Sequence, residues 1–490
     1  LGIGRAYRSK LEKAIAIDQK QRSRHVFVIG ATRSGKSKAI ESWIRQDINN
    51  HNGIGVIDPH GDLIDDILAY IASLDKFDYS RLVYFDPTST THSIGFNPLQ
   101  VISGAKPYGQ VLELVGAFKK IWADSWGARM EEILRNTLMT LAVNGLTLLE
   151  ASRLLTDQCF RDFLVSQSIP EDVRDYWTYR FNPLPDREKA TWIESTLNKV
   201  NALCADPYIR TIIGQTQSTF NIREIMDRGK ILLINLSKGR LKDNAFLLGA
   251  LLLATIQVST LSRVDMPKSE RTPWYLFIDE FQTFATESFS EILSESAKYG
   301  LSLTLANQNL DQLKKETPYL KGAILGNAGV HVYFRVSRED AEVLAKEMFT
   351  VTGKVVKEDQ SDLFNFGGKR LTYYTAQEEF EYYCNELTSQ DQREAYVKIQ
   401  GHKDPYLLKA LEVIPASVKS QRINLLITKS LEFYARPRDE AEQAIKNRRE
   451  GIDNIIKPAA AHSTSSKQKK HKTKERENNG RQPVNEEEFF

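Results

Sequence analysis

The chain has 490 residues, which is long enough for two or three domains and excludes a single small module. Its 41% hydrophobic and 26% charged residues exclude a wholly disordered or fibrous protein and fit a folded soluble one. A net charge of +3 excludes a global basic field, so any contact with nucleic acid must come from a local patch.

In chain order, the first strong strand signal is HVFVI, His25–Ile29. It runs into GATRSGKS and then into the helical stretch KAIESWIRQDI. Strand, Gly-rich turn and helix form the context in which G-x-x-x-x-G-K-S cradles phosphate. Gly30, Ala31, Thr32, Arg33, Ser34, Gly35, Lys36 and Ser37 are therefore the nucleotide-binding candidates. Inward-turned backbone N–H groups and the helix N-terminus favour an anion there. Lys36 would reach the β- and γ-phosphates, and Ser37 would ligate Mg²⁺. Arg33 occupies a variable position of the pattern. A negative φ at Arg33 would let the cradle survive; its side chain is expected to face solvent, with a contact to phosphate as the alternative.

The strand Gly55–Asp58 leads into DPHGDL. His60 and Asp62 have metal-ligand chemistry, but without a neighbouring His or Cys cluster the stretch reads as a turn near the nucleotide mouth. Another strand follows at Leu82–Asp86. Residues 106–228 are different: they are rich in Leu, Glu, Arg and Trp at helical spacing. MEEILRNTLMTLAV, from Met130, puts Ile133, Leu134, Leu138 and Leu141 on one face. This segment reads as an all-helical domain inserted into the sheet.

Strands resume at Ile231–Leu236, Tyr275–Asp279, Leu301–Ala306 and Val330–Val336. Several of these runs are apolar throughout, as in strands covered on both faces. The apolar run Ala245–Ile256 is too short to span a bilayer and reads as a buried core helix. WYLFIDEF, Trp274–Phe281, is a buried strand ending in two acids, the Walker B pattern. Asp279 would hold the Mg²⁺ shell and Glu280 would orient or deprotonate the attacking water. Gln308, at the end of LSLTLANQN, is the candidate sensor of the γ-phosphate.

The expected fold is α/β: a RecA-like ATPase with a mostly parallel sheet and an inserted helical domain. Its segments are 1–105 and 229–434 for the ATPase, 106–228 for the insertion, and 435–490 for a C-terminal helix and a lysine-rich tail. That tail has almost no apolar residues before its final NEEEFF and is expected to be disordered. Cys159, Cys204 and Cys384 are far apart without C-x-x-C spacing, which argues against a disulfide framework or a zinc site and fits a reducing cytosol.

HVFVIGATRSGKS, GVIDPHGDL, GFNPL, LFIDEFQTF, KYGLSLTLANQNLDQL and GNAGVHVYFRVSREDA occur in this order. Together they resemble the FtsK/HerA superfamily of DNA-pumping ATPases, and within it the type IV secretion coupling proteins of the TraG/TraD kind. The resemblance spans roughly residues 20–430. It implies ATP and Mg²⁺ as cofactors, a ring homo-hexamer with DNA in a central channel, and secretion-channel or relaxosome proteins as partners. WGARMEEILRN, Trp126–Asn136, lies where these proteins carry their all-alpha, cargo-recognising domain. A neighbouring subunit's arginine would complete the site; Arg335 is the first candidate and Arg338 the second.

Relatives often have Arg-Lys-Tyr-Gly before the sensor strand, where this chain has Ala297-Lys298-Tyr299-Gly300. Lys298 or Arg335 would have to stand in. Lys238 and Arg240, in NLSKGRLKDN, are the candidates for sequence-independent contact with DNA phosphates, ahead of Lys314 and Lys315. The expected location is the cytoplasm, at the inner face of the membrane through a partner or a preceding transmembrane segment. Two other readings stand beside coupling: a HerA-like translocase working with a nuclease, and a non-motor nucleotide switch.

Overall fold

The structure is a computed structural model that describes residues 1–6, 13–236, 241, 243–353, 355–357 and 372–456. Among them, one eleven-stranded sheet organises the molecule. Its strands are β1 (Gly2–Ala6), β2 (Lys13–Ala16), β3 (Val26–Ile29), β4 (Gly53–Asp58), β5 (Leu82–Phe85) and β6 (Ile231–Asn235). They continue with β7 (Trp274–Ile278), β8 (Leu301–Asn307), β9 (Val330–Tyr333), β10 (Glu394–Ile399) and β11 (Tyr406–Ala410). The spatial order is β2-β1-β11-β10-β9-β3-β8-β7-β4-β6-β5. From β9 to β5 every pairing is parallel. From β9 to β2 every pairing is antiparallel.

The apolar runs follow from this arrangement. Along β3, Phe27 and Ile29 enter one hydrophobic cluster and Val26 and Val28 the other, because successive side chains leave a strand on opposite faces. Both faces are covered, so β3, β6, β7 and β8 are buried at every position. The cluster on the Val26 face packs helix α1 (Lys36–Asn49) and helix α2 (Asp62–Ser73), through residues such as Trp43, Ile44, Ile64 and Leu68.

The other cluster continues from the sheet into the helical segment. That segment includes α3 (Pro107–Ile121), α4 (Ala128–Val143) and α5 (Asp186–Ala205), and no strand occurs among its described residues. Ile133, Leu134, Leu138 and Leu141 of α4 are buried in it, so the helical insertion and one face of the sheet share a core. Helix α6 (Asp243–Ser262) lies in the same core. It belongs to a helix long and apolar enough to cross a membrane, and 89% of that apolar window is buried inside the protein.

Three more helices finish the fold: α7 (Arg338–Met348), α8 (Ala376–Thr388) and α9 (Ser420–Tyr434). Helix α9 lies along the outer strand of the parallel edge: the Ser430 hydroxyl accepts from Tyr84 N at 2.9 Å and donates to Leu82 O at 2.9 Å. These bonds occupy backbone groups that an edge strand would otherwise expose. A final helix, α10, covers 438–456. Its Arg448 reaches the insertion, bonding Glu150 at 2.9 Å and Gly214 O at 2.6 Å.

Candidate active site

The C-terminal ends of the parallel strands form the site. The bend between β3 and α1 is held from three sides: Gly30 N donates to Asn307 O at 3.2 Å, Ala31 N to Arg335 O at 2.8 Å, and Arg393 N to Ser34 O at 2.8 Å. Two glycines are sterically required. A Cβ on Gly30 would lie 2.6 Å from Phe334 Cβ, and one on Gly35, at φ 106°, would lie 2.9 Å from Arg393 Cα. Gly35 caps α1, whose first N–H groups face the bend.

Arg33 does not have the negative φ that would by itself leave the cradle unstrained. Its φ is +65°, in the left-handed region, while its side chain is exposed as expected. The loop closes regardless, because the three flanking backbone bonds over-determine it and offset a strain of roughly 1–3 kcal/mol.

The acidic pair lies across β8 from this bend. Strand β8 separates β3 from β7, so the end of β8 stands between the phosphate loop and the two acids. Lys36 is buried, with its Nζ 3.7 Å from Asp279 Oδ1. Gln308 bridges the remaining gap: its Nε2 donates to Glu280 Oε1 at 2.6 Å, and its Oε1 accepts from Thr32 Oγ1 at 3.4 Å. Lys36, Thr32, Gln308, Asp279 and Glu280 thus form one constellation. Glu280 is buried and, at φ 47°, is itself left-handed, a strained backbone at the second acid of the pair.

The DPHGDL turn brings in one residue that sequence reasoning did not connect with the acids. Strand β4 is the other neighbour of β7, and His60 Nε2 lies 3.0 Å from Glu280 Oε1. Asp58 shapes the turn, accepting from His60 N at 2.8 Å, Leu63 N at 3.0 Å and Ile64 N at 3.3 Å. Burial raises the Asp58 carboxyl above its ordinary range, and the like charge of Asp279 adds to that. No cluster of three His, Cys, Asp or Glu side chains suited to a metal occurs among the described residues. Ser37 follows Lys36 in the first turn of α1, and the Asp279 carboxylate lies beside the Lys36 ammonium; a hydroxyl and a carboxylate are hard oxygen donors of the kind Mg²⁺ takes.

The basic candidates fall in different places. Arg335 is exposed at the end of β9, with its carbonyl bonded to the phosphate loop of its own chain. Arg338 is tied to Glu342 at 3.2 Å and Glu381 at 2.5 Å. Lys298 stands at the opposite end of the sheet, just before β8, exposed and 3.9 Å from Glu295. Lys238 and Arg240, the DNA candidates, lie outside the described residues, as do the side chains of Lys314 and Lys315 and the NEEEFF tail.

Residues 167–373 match the family model described as Type IV secretory system Conjugative DNA transfer, a span that takes in β6, the acidic pair and Gln308. Over that span the chain is similar to the conjugative DNA-transfer family of type IV secretion systems. Solved structures of low sequence identity share the fold. The plasmid coupling protein TrwB in complex with ADP and Mg²⁺ aligns with a TM-score of 0.57 at 17% identity, covering 82% of this chain and 89% of that one. TrwB with the GTP analogue GDPNP aligns at 0.55 and 17% identity, covering 81% and 88%. VirB4 of Thermoanaerobacter pseudethanolicus aligns at 0.50 and 10% identity, covering 84% and 96%. A search of curated proteins finds no match in sequence.

Proposed function

We propose that this chain is a type IV secretion DNA-transfer ATPase and that it hydrolyses Mg²⁺-ATP on the loop from Gly30 to Ser37, with Glu280 accepting the proton of the attacking water. The observation that carries this is the Thr32–Gln308–Glu280 chain, which places a buried carboxylate within two hydrogen bonds of the phosphate loop. Lys36 pairs with the terminal phosphates, Ser37 and Asp279 hold Mg²⁺, and Gln308 registers whether the γ-phosphate is present. Bound Mg²⁺ would neutralise charge developing on the phosphoryl oxygens. Arg335 supplies a positive charge from beside the loop of its own chain.

The motor is proposed to be a homo-hexamer that moves DNA through backbone contacts from Lys238 and Arg240, independent of sequence. Secretion-channel or relaxosome proteins would deliver the cargo. In such a ring, a residue that completes a neighbour's site must lie away from its own. Lys298 meets that condition, which supports it as the trans-acting cation in place of the arginine that Ala297 lacks. The proposed location is the cytoplasmic face of the membrane.

The test is the steady-state ATPase rate with and without DNA at several salt concentrations. DNA should raise the rate, and the stimulation should fall steeply with salt because phosphate contacts release counterions. A rate indifferent to DNA would favour a nucleotide switch.

A further inference from the structure

We infer that His60 is a positioning residue for Glu280, aiming its carboxylate from the side of the sheet opposite Gln308. This rests on the proposed role of Glu280 and adds to it a residue on β4's turn. Strand β7 has two neighbours, and each sends one group to the acid at its end: Gln308 from beyond β8 and His60 from beyond β4. Both meet the same oxygen, Oε1, at 2.6 and 3.0 Å. An ionised carboxylate only accepts, so Nε2 of His60 carries the proton in this contact. Two donors arriving at one oxygen from opposite sides fix the torsion of the carboxylate, and with it the direction of its second oxygen.

The turn that presents His60 is built for one geometry. Asp58 accepts three backbone N–H groups across it, and Gly61 sits at φ 96°, where a Cβ would lie 3.0 Å from Asn235 Oδ1. The imidazole itself is 48% exposed. At that exposure it fills no core space, so its removal should leave the fold standing. Because Glu280 has a left-handed backbone, its side chain leaves β7 in a direction that the strand alone would not give; a lateral tether at each side compensates.

The experiment compares His60→Ala, His60→Gln and His60→Asn in the full chain, measuring kcat and KM for Mg²⁺-ATP, nucleotide affinity by fluorescence, and the thermal midpoint. The Gln amide nitrogen reaches the place of Nε2, whereas the Asn amide falls short. His60→Ala and His60→Asn should lower kcat on the order of tenfold to hundredfold, the cost of a misplaced catalytic group, with KM, affinity and midpoint unchanged. His60→Gln should restore most of the rate. Wild-type or raised kcat in His60→Ala, a loss that Gln does not restore, or a parallel loss of nucleotide affinity would each overturn the inference. Glu280→Gln is the control that separates the two ideas. If it turns over ATP like the wild type, the role of Glu280 falls and the inference with it; if it is inactive while His60→Ala is not, only the inference falls.

Discussion

The two ends of the parallel sheet are built on opposite principles. At the N-terminal ends, charged groups are buried and paired. Arg22 bonds Asp47 through both terminal nitrogens, one at 2.6 Å, while its guanidinium lies 3.4 Å from the centre of the Tyr275 ring. Arg263 is fully buried and gathers Asp227, Thr272 O and Tyr299 O, the approaches to β6, β7 and β8. At the C-terminal ends, Lys36, Asp279, Glu280, Gln308 and His60 meet by fewer and longer contacts, around backbones held at positive φ. One end spends its charges on holding strands together; the other keeps them available to a ligand.

Four perturbations test that contrast. The largest effect is expected from Glu280→Gln. Turnover should fall by on the order of a hundredfold or more, as for loss of a general base, with nucleotide binding and the unfolding midpoint unchanged. A parallel loss of stability would mean that the acid holds the fold. Arg22→Ala should do the reverse: stability should fall by about 3–5 kcal/mol in denaturant unfolding, because Asp47 is left buried and uncompensated. Its ATP turnover under folding conditions should stay near that of the wild type.

The third perturbation is acid. His25 opens β3 and is buried; its Nδ1 accepts from Leu303 N at 3.0 Å, and its Nε2 donates to Leu293 O at 3.1 Å. Burial lowers its pKa from 6.5 to about 4, so the unfolded chain binds this proton first as pH falls. Stability should therefore be unaffected by this group above its unfolded pKa and decline from about pH 6.5 down to about pH 4. The full loss would be about 3 kcal/mol, and His25→Gln should flatten that slope of the midpoint against pH. The smallest effect is at the strained loop. Arg33→Gly removes the cost of a left-handed side-chain residue and should raise stability by about 1 kcal/mol in denaturant unfolding. If it lowers stability, the loop draws on the Arg33 side chain for support.

The active end was legible in the sequence wherever chemistry and chain neighbours coincide. The loop from Gly30 to Ser37 and the Asp279–Glu280 pair each combine a buried strand with a polar terminus, so a local reading locates them. The His60–Glu280 contact could not be read this way, because it depends on β4 lying beside β7, and more than two hundred residues separate them in the chain. The antiparallel strands β1, β2, β10 and β11 were not anticipated. EAYVKI and YLLKA place Lys398 and Lys409 among apolar neighbours, an alternation that suits an outer strand but is weak over so few residues. The left-handed backbone of Arg33 was not legible either, because the bonds that hold its loop come from Asn307, Arg335 and Arg393, none of them near it in sequence.

The hold of α10 on the insertion has a consequence for biosynthesis. Arg448 bonds Glu150 across 298 residues, and Arg436–Pro437 pairs with His92–Ser93. A ribosome makes the helical block long before it makes the arm that latches it. Until that arm emerges, Glu150 and the Gly214 carbonyl stand open to water or to a chaperone, and the block is sealed only by a segment translated 298 residues later.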